Sequence, residues 1–102
     1  MPFMSVCKKD NLLEGQMALF RVHRKSVLLV WPKDGEVKAY RGRCPHQDVP
    51  LDNASFDGKT VTCGFHHWCF DARTGAGVEP HGCELKAYAV RLEQDEFQVE
   101  LG

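Results

Sequence analysis

No apolar stretch in this 102-residue sequence is long enough to cross a bilayer, since the longest aliphatic run, Val27 to Trp31, is a fraction of the roughly 20 residues a spanning helix needs. A secretory or twin-arginine leader is missing too. Met1 to Gly15 holds no apolar core and turns polar at Lys8, so the expected address is the cytoplasm. Net charge is nearly absent: 13 Lys and Arg against 14 Asp and Glu leave a formal −1, which draws the protein neither to nucleic acid nor to an anionic membrane. What charge there is lies unevenly. Residues 1–51 carry nine basic and five acidic side chains and residues 52–102 carry four and nine, sums of +4 and −5. Such asymmetry either orients a protein partner during encounter or reflects two solvated faces that differ.

Long stripes of helical period are lacking, and the short runs of β-branched and aromatic residues between turn signals predict a mostly β fold. Strands are expected near Met17 to Val22, Val27 to Trp31, Val37 to Tyr40, Thr60 to Cys63, Ala87 to Leu92 and Phe97 to Leu101. Asp34-Gly35 and Asp57-Gly58 predict tight hairpins, and Gln94-Asp95 a third. The one helical candidate is Lys9 to Glu14, with Asp10 capping a turn. No repeat, linker or low-complexity segment divides the chain, so one domain over residues 1–102 is expected, burying roughly two-thirds of the surface its unfolded chain exposes.

Two stretches break the strand rhythm, at about residues 41–53 and 63–83, and they hold four of the five histidines and four of the five cysteines. Long irregular loops in so small a domain give up core in order to hold something else. An odd number of cysteines in a reducing compartment does not suggest a disulfide framework, so metal ligation is the better question.

The first loop reads Cys44-Pro45-His46 and the second Cys63-Gly64-Phe65-His66, with sixteen residues between His46 and Cys63. Each offers one thiolate and one imidazole. A tetrahedral Cys₂His₂ zinc site fits that inventory, and so does a Rieske cluster, in which two His replace two Cys on one of two irons. Zinc knuckles usually pair like ligands, whereas here each loop is mixed, which suits a dinuclear centre. Any one of the four alone would read as a small buried cysteine or a surface histidine. His67 competes with His66, but the C-x-x-H count selects His66, and neighbours in an extended segment point to opposite sides. Trp68 is either a packing aromatic or part of a surface beside the metal.

The segments CPHQDVPL, TCGFHHWCFDARTGAGVEP and LKAYAVRLEQDEFQVEL together resemble the Rieske ferredoxins of bacterial oxygenase systems over nearly the whole chain. The resemblance implies an antiparallel β-sandwich base with a small cluster-binding subdomain, a single [2Fe–2S] cluster, and a third loop at Pro80 that shields it. It implies Cys44 and Cys63 on the inner iron and His46 and His66 on the outer one. His67 and Trp68, where dioxygenase ferredoxins commonly place Gly first, make the chain more similar to the ferredoxins of toluene-type, four-component aromatic hydrocarbon monooxygenases. The implied role is a monomeric electron carrier, not an enzyme. Its donor would be an NADH-dependent flavin and iron–sulfur reductase, and its acceptor a terminal oxygenase, a carboxylate-bridged diiron hydroxylase. A dioxygenase ferredoxin and a small subunit of nitrite reductase share the pattern, and a zinc-binding module stands further off.

Quinol-oxidising Rieske proteins carry an extra cysteine in each loop, joined as a disulfide, where this chain has Val49 and Phe65, and they place a Ser after the second His ligand. With neither present, the expected potential lies low in the Rieske range, around −150 mV. Gln47, His67, Trp68 and Pro80 are the candidates for docking or for support of the ligands. Cys7, Cys69 and Cys83 match no ligand position, and His23 and His81 have no assigned role.

Overall fold

A computed structural model describes residues 3–43, 51, 54–64, 68–79 and 84–101. Strands dominate, in two antiparallel sheets. The larger has the order β1-β10-β9-β4-β3-β2, built from β1 (Phe3–Lys8), β2 (Met17–Val22), β3 (Lys25–Val30), β4 (Lys38–Arg41), β9 (Ala87–Glu93) and β10 (Glu96–Glu100). The smaller, β5-β6-β7-β8, is made of β5 (Ser55–Phe56), β6 (Thr60–Thr62), β7 (Cys69–Asp71) and β8 (Gly77–Glu79).

Two apolar cores meet at β3 and β4. Along β3 the side chains alternate, Leu28 and Val30 entering the first core and Val27 and Leu29 the second; on β4, Tyr40 and Ala39 divide in the same way. That double burial explains why β3 reads as an unbroken aliphatic run rather than an alternating one. Leu12, Phe97 and Val99 complete the second core inside the larger sheet. The first core joins Leu28, Val30 and Tyr40 to Leu51, Val61, Cys63, Phe70, Ala72 and Leu85, and so fastens the smaller sheet to the larger.

The strands expected from periodicity form within one or two residues of their predicted ends. Gln94 and Asp95 make a two-residue hairpin with φ of 51° and 64°, the paired positive φ of a type I′ turn. The β2–β3 turn at His23 and Arg24 has the same form, φ 47° and 68°, without the usual Asn or Gly. Asp57 closes the β5–β6 turn: its Oδ1 accepts the Lys59 and Thr60 N–H groups at 2.9 and 2.7 Å, and these bonds hold its carboxyl below the ordinary range. Asp34-Gly35 differs from expectation, because it lies within a connection from Trp31 to Val37 rather than in a two-residue hairpin. Lys9 to Glu14 is corrected to a single 3₁₀ turn, Lys9–Asn11; Asp10 sits inside it and Lys8 is the N-cap, with no side-chain capping bond. The second irregular stretch contains β7 and β8, strands too short to show a period.

Tyr40 is the largest fully buried side chain, and its hydroxyl donates to the Ala72 carbonyl at 2.7 Å. Burial, with the nearby Asp71 carboxylate, pushes its pKa from 10 to about 12. Below pH 10 the phenol is protonated in both folded and unfolded chains. Between pH 10 and about 12 only the unfolded chain ionises, so stability falls by about 2–3 kcal/mol across that window. Chemical unfolding across the alkaline range should show this loss, and Tyr40→Phe should abolish it while costing about 1–3 kcal/mol at neutral pH through the unpaired Ala72 carbonyl.

Candidate metal centre

Each of the stretches marked by sequence as a ligand or shielding loop starts and ends on a fixed stem. After β4 the Gly42 N–H donates to the Ser26 carbonyl at 2.8 Å, and the Gly42 carbonyl accepts the Leu51 N–H at 2.9 Å, so the chain leaves and returns at one point around residues 43–50. After β6 the Cys63 N–H donates to the Trp68 carbonyl at 2.7 Å, closing a loop over residues 64–67. For the third loop, Ala76 bridges Glu84, and the Leu85 N–H donates to the Gly75 carbonyl at 2.8 Å. Leu51, Cys63 and Leu85 all lie in the first core, so the three loops spring from one packed unit.

Cys63 is the one proposed ligand among the described residues. It is 1 % exposed, in apolar surroundings, and carries no disulfide. A buried sulfur outside any disulfide, at the base of a stretch that carries His66 in sequence, has the donor chemistry of an iron ligand. Trp68 is half-buried and packs against the first core, with its carbonyl spent on the Cys63 stem. Cys44, His46, Gln47, Val49, Phe65, His66, His67, Pro80, His81 and Cys83 lie outside the described residues.

Neither of the other described cysteines has such surroundings. The Cys69 sulfur lies 3.6 Å from the Thr62 hydroxyl. Cys7, in edge strand β1, is half-buried, and desolvation raises its thiol pKa, which keeps it protonated. The stem residues Gly42, Leu51, Gly75 and Leu85 escaped the sequence reading. Glycines beside the two irregular stretches were the available signal, but the pairing across each loop was not.

A family profile for the Rieske [2Fe–2S] domain matches residues 2–89, which takes in all three loops and their stems. The chain belongs to the Rieske family. It is 36% identical over 93 residues to the ferredoxin component of the alkene monooxygenase system of Xanthobacter autotrophicus, covering 89% of this chain and 75% of that one. The ferredoxin component of the p-cumate 2,3-dioxygenase system of Pseudomonas putida is 29% identical over 101 residues, 97% of this chain and 86% of its own. The ferredoxin of carbazole 1,9a-dioxygenase from Nocardioides aromaticivorans superposes with a TM-score of 0.82 at 28% identity, over 97% of both chains. Like these ferredoxins, this Rieske protein is an electron-transfer component with one [2Fe–2S] cluster rather than an enzyme.

Proposed function

We propose that this Rieske protein is the ferredoxin component of an oxygenase system, taking one electron at a time from an NADH-dependent flavin and iron–sulfur reductase and passing it to a terminal oxygenase. The observation that carries this reading is the near end-to-end match to ferredoxin components. The higher identity to an alkene monooxygenase ferredoxin favours a diiron monooxygenase as acceptor over a Rieske dioxygenase. The reading places the carrier in the cytoplasm as a monomer; no described helix is long and apolar enough to cross a membrane.

In this reading the chain is one domain, residues 1–102, with Cys44 and Cys63 on the inner iron and His46 and His66 on the outer. Bound there, a Rieske cluster supplies a reversible one-electron couple. Cys63, in the first core, would keep the inner side dry, and the stems close the stretches that carry His46 and His66 in sequence. Gln47 and Trp68 belong to the docking tip, and Pro80 to the shield. Trp68→Glu should therefore slow transfer to the oxygenase while leaving the visible spectrum intact; an unchanged rate would remove Trp68 from the docking tip.

Anaerobic purification followed by dithionite reduction tests the whole reading. A red-brown protein with a rhombic EPR signal of low average g value and a midpoint around −150 mV is the expected result. A colourless protein holding stoichiometric zinc would overturn it, and a midpoint well above zero would overturn the low-potential assignment.

A further inference from the structure

At the neck between the larger sheet and the first loop lies an open hollow of about 340 Å³, lined by Arg24, Lys25, Arg41, Arg43 and Lys86. No acidic side chain lines it among the described residues. Strand register explains the gathering. Arg41 ends β4 opposite Val27, the Arg41 N–H donates to the Lys86 carbonyl at 2.8 Å, and the β2–β3 turn brings Arg24 and Lys25 to the same end of the sheet. Lys25 Nζ donates to the Leu101 carbonyl at 3.4 Å, and Lys86 Nζ stands 5.9 Å from the centre of the Tyr88 ring. Neither contact neutralises a charge. Arg43 directly precedes Cys44, so this positive field adjoins the first ligand loop.

The hollow is built for a broad partner rather than for a small anion. The Arg41 and Gly42 amides are already bonded to the Lys86 and Ser26 carbonyls, so the described backbone offers no amide nest there, and four of the five cations are exposed. Exposed charges of one sign steer encounter and set its salt dependence more than they add affinity. We infer that this neck is where an acidic surface of a redox partner docks, aligning that partner with the cluster end of the molecule. The inference rests on the electron-carrier reading. It also assigns a place to part of the basic half of the sequence: net charge is −1, yet four of that half's nine cations, Arg24, Lys25, Arg41 and Arg43, line this one hollow.

Lys8 and Lys9 supply the control. They sit beside the Gln94–Asp95 hairpin, at the far end of β9 from Lys86, about 20 Å away at 3.4 Å per residue. K25E/K86E and K8E/K9E change net charge equally and the local field differently.

The test reduces each cluster-loaded protein and follows its oxidation by ferricytochrome b5, an acidic haem protein, in stopped flow. One electron leaves the reduced ferredoxin and one ferric haem becomes ferrous. At low salt K25E/K86E should be slower than the parent by at least about tenfold, with the gap closing at high ionic strength, and K8E/K9E should stay within about twofold. Equal effects of the two pairs, or none, would overturn the proposal. So would saturable inhibition of the parent by pyrophosphate beyond that of sodium chloride at equal ionic strength, which would reassign the hollow to a small polyanion. R24E, at the exposed turn, decides the matter if K25E/K86E fails to load its cluster. A parent protein without the EPR signal would instead sink the carrier reading itself, whereas an intact signal with salt-independent transfer sinks only the docking site.

Discussion

Cys63→Ala should purify colourless, with iron falling from two atoms per chain to nearly none, and with the larger sheet still folded. Cys63 is nearly fully buried in the core with Val61, Phe70 and Leu85, and those apolar neighbours offer no donor to replace the lost sulfur. Alanine removes the ligand with little damage to packing. Cys63→Ser adds a hydroxyl to the same apolar site and should cost a further 1–3 kcal/mol or so when it finds no partner. The second core, built on Leu12, Val27, Leu29, Phe97 and Val99, does not include this residue, so far-UV circular dichroism should keep most of its strand signal while the smaller sheet loosens. Cys69→Ala is the comparison, because Cys69 faces the Thr62 hydroxyl rather than the first core, and it should keep full iron. Iron and sulfide analysis of the three variants checks the expectation. A full complement of iron in Cys63→Ala would remove Cys63 from the ligand set.

The positions that hold the molecule together were legible in the sequence to different degrees, for physical reasons. Strands β2, β3, β4, β9 and β10 show in the sequence because their side chains divide between core and solvent, or between two cores, at a period of two. β7 and β8 do not, since they are short pieces inside an irregular stretch; β7 forms alongside β6, and β8 alongside β7. β1 was missed for another reason: Phe3–Lys8 is only half-buried along most of its length, so its pattern is weak, and its pairing with β10 joins the two ends of the chain. The His23–Arg24 hairpin escaped because neither residue favours positive φ; the six paired positions of β2 and β3 impose it. The ligand pattern was readable because coordination chemistry restricts residue types at fixed spacing. The stems were not, because Gly42 to Leu51 and Gly75 to Leu85 are backbone bonds, and the side chains do not name which segments they join.

Gly75 is the stem residue that combines a positive φ with close neighbours, and Gly75→Ala tests whether the third loop depends on that stem. Its φ is +80°, where a Cβ costs about 1–2 kcal/mol on backbone grounds alone. An added Cβ would also lie 2.9 Å from Tyr40 Cε1 and 3.1 Å from the Leu85 carbonyl oxygen. Neither neighbour gives way easily: the Tyr40 ring is fully buried and tied by its hydroxyl to Ala72, and the Leu85 backbone is the other half of the stem. With overpacking worth a further 1–3 kcal/mol, the loss is about 2–5 kcal/mol, or at least roughly 8 °C in Tm. Gly58→Ala separates strain from crowding. Its φ is +97°, but the added Cβ would meet only the Lys33 side chain, at 3.0 Å, so its loss should be confined to about 1–2 kcal/mol. Thermal unfolding of the two holoproteins, followed at once by circular dichroism and by the visible absorbance of the cluster, gives the comparison. In Gly75→Ala the absorbance should fade before the larger sheet melts if the displaced stem holds the loop proposed to shield the cluster; in Gly58→Ala the two signals should be lost together. Equal and small losses in both variants would mean that the third loop is held by something other than the Gly75–Leu85 stem.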